Sequence, residues 1–201
     1  MTGGQTVGSA EPRIVVISGP SGTGKTTVVR RLIETAPVAI VKAVTATTRA
    51  PRPGEADGRD YHFLSPDDFF RSQTEGRFLE TAEVFGTGTW YGTPRSEVER
   101  AQRLQAWSLL EIDVRGALKV KRQFEDTVMI FLRAASAEDY ERRLRQRATE
   151  TDEAIRSRLD RMREELRYAD RYEFQVINDD VERAVAEIGG ILRQREAERN
   201  A

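Results

Sequence analysis

Cysteine is missing from all 201 residues, and histidine occurs once, at His62. Disulfides and thiolate metal sites are therefore excluded, as are histidine-based zinc triads and a Ser-His-Asp triad built around any other histidine. His62 itself reads as a polar strand residue. Lysine is scarce: Lys25, Lys42, Lys119 and Lys121 are the only four, and arginine supplies the remaining basic charge. An excess of one sign is also lacking, because 32 basic and 33 acidic side chains nearly cancel. The net field therefore steers the chain toward neither nucleic acid nor membrane, and any anion site must be built from local clusters. No run approaches the roughly 18 apolar residues of a membrane span. The opening MTGGQTVGSAEP has neither a basic start nor an apolar stretch, so residues 1–12 read as a flexible tail rather than a secretory signal, and a cytoplasmic protein is expected. What is present suits one substantial soluble domain, with 38% hydrophobic residues and room for small inserted parts.

Four short apolar runs, RIVVIS (13–18), WSLLEID (107–113), TVMIFL (127–132) and EFQVIN (173–178), read as buried parallel strands. Helical stretches separate them, which predicts an α/β fold with right-handed crossovers and helices on both faces of a parallel sheet. Ser136, with Asp139 three positions on, reads as a helix start, and so does Thr151 ahead of a segment with Ala154, Ile155, Leu159, Met162 and Leu166 at helical spacing. Residues 38–92 differ in character. There VAIVKAV, DYHFL, FLETAEVF and TWYG are separated by the turn-rich RAPRPGEADGRD and a short helix starting at Ser65, which predicts a small mixed β insertion.

Gly19, Gly24, Lys25 and Thr26 fall in the pattern GxxxxGKT, between the strand RIVVIS and the helical TTVVRRLIE. In that context glycines let the backbone curl around phosphate oxygens, and the following helix start adds its positive end. Gly19, Ser21, Gly22, Thr23, Gly24, Lys25, Thr26 and Thr27 are thus the expected ATP-phosphate site. Lys25 would bridge the β and γ phosphates, and the Thr26 hydroxyl would ligate magnesium brought in with ATP. SLLEID ends in two acids, Glu111 and Asp113; in such a fold this strand lies beside the loop strand and delivers carboxylate near the metal or the substrate. Downstream, Arg49 and Arg52 are three apart in a segment stiffened by Pro51 and Pro53, with Tyr61 following the Asp57-Gly58 turn. Two guanidinium groups and a phenol can grip one phosphate, although an isolated RxxR is also what a solvated basic loop looks like.

At this point the chain resembles the guanylate kinases, which phosphorylate GMP to GDP with ATP. The resemblance covers residues 13 to about 195. It is carried by TTRxPRxGExxGxDYxF (Thr47 to Phe63), FLExAxxF (Phe78 to Phe85), YGT (Tyr91 to Thr93), IDxxG (Ile112 to Gly116) and NDD (Asn178 to Asp180). It implies a P-loop core (about 13–37, 93–135 and 168–198), a GMP-binding insertion (38–92) and a helical lid (136–167) within a single domain from 13 to 201. Arg49, Arg52, Tyr61 and Tyr91 are then expected on the GMP phosphate. Glu80 is expected on the guanine N1–H and N2–H2 donors, with Thr45 and Thr93 supplying hydroxyls and Glu111 and Asp113 on the GMP side. Glu83 is the rival acid, but strand parity puts it on the opposite face from Glu80. Arg147 and Arg158 are expected to come from the lid as catalytic cations beside Lys25 and Arg52, with Arg143 in support and Asn178 contacting adenine.

The chain departs from the family pattern at Thr45 for serine, in the longer FGTGTWYGT with Trp90, at RAAS for a Pro-Pro turn, at Ala148 for glycine and at Glu111 for aspartate. A substituted hydroxyl, a less secure Tyr91 and an altered lid hinge are the expected consequences. Two alternatives stand beside an ATP:GMP phosphotransferase: a catalytically inactive binding module of the same build, and a kinase acting on another small molecule such as a ribose bisphosphate. No NKxD sequence supports a switch GTPase. Small-molecule substrates ATP and GMP are implied, with dGMP an open acceptor; nucleic acid, membrane and an obligate protein partner are not.

Overall fold

The computed structural model describes residues 11–84, 88–145 and 152–201. A five-stranded sheet, all parallel, runs in the order β2 (Ile40–Lys42), β7 (Trp107–Glu111), β1 (Ile14–Ser18), β8 (Val128–Arg133), β9 (Phe174–Ile177). The two faces of β1 show why these runs are apolar throughout. Val15 and Ile17 pack into a cluster with Val28, Val29 and Leu32 of α1 (Lys25–Thr35) and Ala184, Ile188 and Leu192 of α7 (Val181–Arg199). Ile14 and Val16 face the other way, onto Val98 of α3 (Arg95–Arg103) and Val114, Ala117 and Val120 of α4 (Val114–Gln123). A strand covered on both faces needs no polar side, as parallel sheets require.

A second sheet is mixed, in the order β4 (His62–Phe63), β3 (Ala46–Thr47), β6 (Thr89–Pro94), β5 (Phe78–Val84). Its core is small: Ala46, Phe69 and Phe78 are buried, with Leu64 and Trp90 against them. Phe69 belongs to α2 (Pro66–Thr74), which starts where expected, with the Ser65 hydroxyl accepting from Asp68 N–H and Pro66 in the first turn.

Two boundaries differ from the sequence reading. Residues 40–42, assigned there to the insertion, pair in register with β7 and form the edge of the core sheet. The period of VAIVKAV is compatible with either sheet, and pairing rather than pattern decides. The expected tail also ends sooner, because Glu11 accepts a hydrogen bond from Arg199 through its carbonyl. Helices α5 (Ala137–Arg145) and α6 (Asp152–Leu166) pack through Tyr140, Leu159, Met162 and Leu166. Asp139 N–H donates to Ser136 Oγ, as the capping reading requires. The second proposed cap, Thr151, lies outside the described residues, as does Ala148.

Candidate active site

The loop between β1 and α1 sits at the carboxyl end of the core sheet, where parallel sheets bind ligands. Gly19 has φ +149°, and a Cβ there would lie 2.0 Å from the carbonyl oxygen of Leu132. No other residue fits that approach. Thr23 is buried and donates its hydroxyl to the Pro20 carbonyl, while the Lys25 ammonium folds back onto the carbonyls of Gly19 and Pro20. Ser21 in the loop and Thr27 in the first turn of α1 are both exposed.

Asn178 is buried, and its carboxamide Nδ2 donates to the Thr23 carbonyl at 2.6 Å. Arg143 reaches the same carbonyl at 3.2 Å and the Asn178 carbonyl at 2.7 Å. Resemblance put Asn178 on adenine; here its amide is engaged in bracing the phosphate loop from β9. Arg143, expected as a support from the lid, here sits on the carbonyls of Thr23 and Asn178.

Glu111 ends β7 directly beside β1, since Ile17 and Glu111 are register partners. Its Oε1 accepts from the Thr26 hydroxyl at 3.0 Å and its Oε2 from the Lys42 ammonium at 2.9 Å. A magnesium ion keeps several waters and uses one or two carboxylates with substrate phosphates, so a threonine hydroxyl beside one glutamate fits it. No group of three or more metal-binding side chains occurs among the described residues. One hydroxyl and one carboxylate supply too few ligands for an all-protein metal cage.

In the small sheet, Arg49 makes two 2.9 Å bonds to the Glu55 carboxylate, and its Nε donates to Tyr91 Oη at 3.3 Å. Its guanidinium lies over the Tyr61 ring at 5.3 Å, and Tyr61 meets Tyr91 edge to face. The bond from Arg49 and the Arg52 backbone N–H hold the Glu55 carboxyl below its ordinary range; burial pushes the Tyr61 phenol up. Trp90, next to Tyr91, is held through its backbone by Thr48 and by the Thr47 hydroxyl and packs against Phe69 and Phe70. Of the expected phosphate residues, Arg52 stands exposed at the rim.

Glu80 is 7% exposed, and its Oε1 accepts from both the Thr93 N–H at 3.1 Å and the Thr93 hydroxyl at 2.7 Å. Its Oε2 lies so close to Gly116 that a Cβ there would come within 2.8 Å, which explains the glycine of IDxxG. Burial raises the Glu80 carboxyl above the ordinary glutamate range, and the nearby Asp113 adds to the rise. Asp113 caps α4 by accepting from Gly116 N–H at 2.7 Å. Glu83 is exposed, as parity requires, and accepts only from the Gly88 N–H among the described residues. Thr45 is half-buried and gives its carbonyl to His62 N–H.

A cleft of about 440 Å³ opens between β5, the start of α4 and the end of α6, with Thr81, Asp113, Lys119, Arg161 and Glu165 on its walls. Glu165 is raised by burial there, against the charge of Lys25. Arg158 stands half-buried on α6; Arg147 lies outside the described residues. Three contributors escaped the sequence reading: Glu55, which orients Arg49; Lys42, which holds Glu111; and Glu97. Glu97 is buried and accepts from Val44 N–H and twice from Arg100, with His62 Nε2 3.5 Å away, tying α3 to the insertion. Burial pushes its carboxyl up, but those bonds carry it below its usual range. Only Glu55 left a signal, inside PRPGE.

A phosphate loop on a parallel sheet, faced by a small arginine-bearing sheet and a pair of helices, defines a P-loop kinase of the nucleoside monophosphate class. The chain belongs to the guanylate kinase family, whose model, described as Guanylate kinase, matches residues 11–195. It is 48% identical over 182 residues to a guanylate kinase of Rubrobacter xylanophilus, covering 90% of this chain and 94% of that one. It is 44% identical over 184 residues to that of Rhodopirellula baltica, covering 90% and 87%. A crystal structure of guanylate kinase from Anaplasma phagocytophilum superposes with a TM-score of 0.71 at 34% identity, over 92% of this chain and 86% of that one.

Proposed function

We propose that this protein transfers the γ-phosphoryl group of ATP to GMP, giving ADP and GDP. The observation that carries this reading is the buried Glu80. One of its oxygens is fixed by Thr93, and the carboxylate stands beside Asp113 at the head of α4. A carboxylate held in this way matches the guanine edge, which offers N1–H and N2–H2 together. Adenine offers an acceptor at N1 and no amine at C2, so it leaves a buried charge unpaired, a mismatch that costs about 10⁴ or more in selectivity where a site is built to bond the missing group.

In this reading Arg49, Arg52, Tyr61 and Tyr91 hold the acceptor phosphate, and Thr45 and Thr93 complete the base pocket. The glycine loop and the start of α1 hold the ATP phosphates, and Lys25 leaves its loop carbonyls to reach the transferring group. Arg158, with Arg147, supplies positive charge from the lid where negative charge spreads over the equatorial oxygens. Thr26 and Glu111 would hold magnesium, which neutralises phosphate charge when bound. Cations contributed by separate segments call for closure of insertion and lid around both substrates, which also excludes water. No described helix is long and apolar enough to cross a membrane, in keeping with a cytoplasmic enzyme.

The test is ADP release from magnesium-ATP with GMP, dGMP, AMP, CMP, UMP and a ribose bisphosphate offered in turn. Turnover confined to guanine nucleotides is expected. Turnover with another acceptor, or none at all in a protein that still binds nucleotide, overturns the reading in favour of a different kinase or a binding module.

A further inference from the structure

Lys42 has no place in the motif set that identified the site. It ends β2, the edge strand of the core sheet, and its ammonium lies 2.9 Å from Glu111 Oε2, while Glu111 Oε1 takes the Thr26 hydroxyl proton at 3.0 Å. A hydroxyl that ligates a cation must turn a lone pair toward it and send its proton elsewhere, and Glu111 is where the Thr26 proton goes. The same carboxylate is the strongest ligand for a divalent cation in this corner. Its side chain is 15% exposed, that of Lys42 43%, so the lysine covers the acid from the solvent side.

We propose that Lys42 is a positioning residue that occupies Glu111 as a resident counter-cation, so that the site holds a free divalent cation weakly and favours magnesium that arrives together with ATP phosphates. The inference rests on the magnesium-ATP reading above. Two positive charges competing for one carboxylate oppose each other, and a single ammonium beside a largely covered acid weakens cation binding without excluding a cation that brings its own four phosphate charges. The Glu111 side chain thereby bridges the start of α1, through Thr26, and the adjacent strand β2, through Lys42. An ion pair whose lysine stays open to solvent contributes little to stability, so the effect belongs to binding rather than to folding.

The experiment uses manganese as probe, titrated into the nucleotide-free protein while free Mn²⁺ is counted by electron paramagnetic resonance. Lys42→Met should bind Mn²⁺ roughly three- to tenfold more tightly than the unsubstituted protein. Lys42→Arg, which keeps the charge, should stay near the original affinity, and adding Glu111→Gln to Lys42→Met should abolish the gain. Unfolding temperatures establish that each variant is folded. Unchanged or weaker Mn²⁺ binding by Lys42→Met, or a gain that survives Glu111→Gln, overturns the proposal. A parallel titration with magnesium-ATP keeps the two readings apart, since failure to bind it would strike the phosphotransfer reading whatever manganese does.

Discussion

In the phosphotransfer reading, the two halves of the site are built from different materials. The donor half is backbone: a loop locked by the contact of Gly19 with Leu132, braced through Thr23 by Asn178 and Arg143, on strands of which the central one is wholly buried. The acceptor half is side chains: Arg49 on Glu55, Tyr91 on Arg49, Glu80 on Thr93, carried by a sheet in which two strands have two residues each and the core is a few rings. A phosphate common to every nucleotide can be held by N–H groups that any sequence supplies, whereas a particular base needs particular side chains. Those side chains are held in wait by partners within the protein.

The sharpest break of that contrast is the one donor-side role that backbone cannot fill. Lys25→Ala should lower kcat by about 10³-fold or more, since a cation aimed at the transferring group is lost from the point where charge develops. GMP binding, measured by calorimetry, should stay within about twofold. Normal GMP turnover in this variant would remove Lys25 from the chemistry.

Glu80→Gln tests the acceptor half. It should raise the KM for GMP by about 10²-fold or more and erode the preference over AMP, because one of two matched acceptors becomes a donor. It should also stabilise the fold. The raised Glu80 carboxyl binds its proton more tightly in the folded state, so between the ordinary value of 4.5 and its higher folded value stability falls as pH rises, and near neutrality the ionised group is a cost. Removing that charge should lift Tm by about 2–4 °C, the equivalent of about 1 kcal/mol in a chain this size. By the same sign, GMP binding by the original protein should weaken as pH falls through that raised value, and the Gln variant should lack that limb. A lower Tm together with unchanged GMP selectivity would sink the assignment.

Asn178→Ala should act on the donor half alone. A buried amide bond to the loop disappears and the Thr23 carbonyl keeps the weaker 3.2 Å bond from Arg143, for a loss of about 1–3 kcal/mol in stability. The KM for ATP should rise about tenfold with the KM for GMP unchanged. A rise confined to ATP with unchanged stability would instead favour the adenine contact expected from sequence.

The same division decided what could be read in advance. GxxxxGKT between a strand and a helix names a backbone shape, so the loop, the sheet and the acid ending β7 were legible from spacing and apolar runs. The roles proposed for Arg49, Arg52, Tyr61 and Glu80 rest on the resemblance of TTRxPRxGE and FLE to a family, since two arginines and a tyrosine alone read equally as a phosphate grip or as a solvated basic loop. The strand 40–42 was assigned to the wrong sheet because three residues carry no period that distinguishes two possible partners. Lys42 and Glu97 were invisible for a related reason: each matters through a contact 69 or 53 residues away, and nothing local records it.

The smallest expected effect lies inside the acceptor network. Glu55 takes both Arg49 bonds and the Arg52 N–H, so it aims one phosphate cation and fixes the turn that carries the other. Glu55→Gln keeps the shape and loses the charge. One Arg49 bond then faces an amide donor, and the guanidinium keeps the Tyr91 hydroxyl and the Ala50 carbonyl but loses half of its fork, so the KM for GMP should rise about three- to tenfold with the KM for ATP unchanged and kcat little affected. The pair's dependence on pH has a definite sign. Because its carboxyl is held below the ordinary 4.5, the contribution is present above that value and disappears as pH falls through the lowered one. Titrating Glu55 by NMR in the original protein and in Arg49→Lys separates aim from mere attraction: lysine keeps the charge but not the two-pronged bond. If Arg49→Lys leaves both the Glu55 titration and the KM for GMP where they were, the fork between these residues does not position the acceptor phosphate.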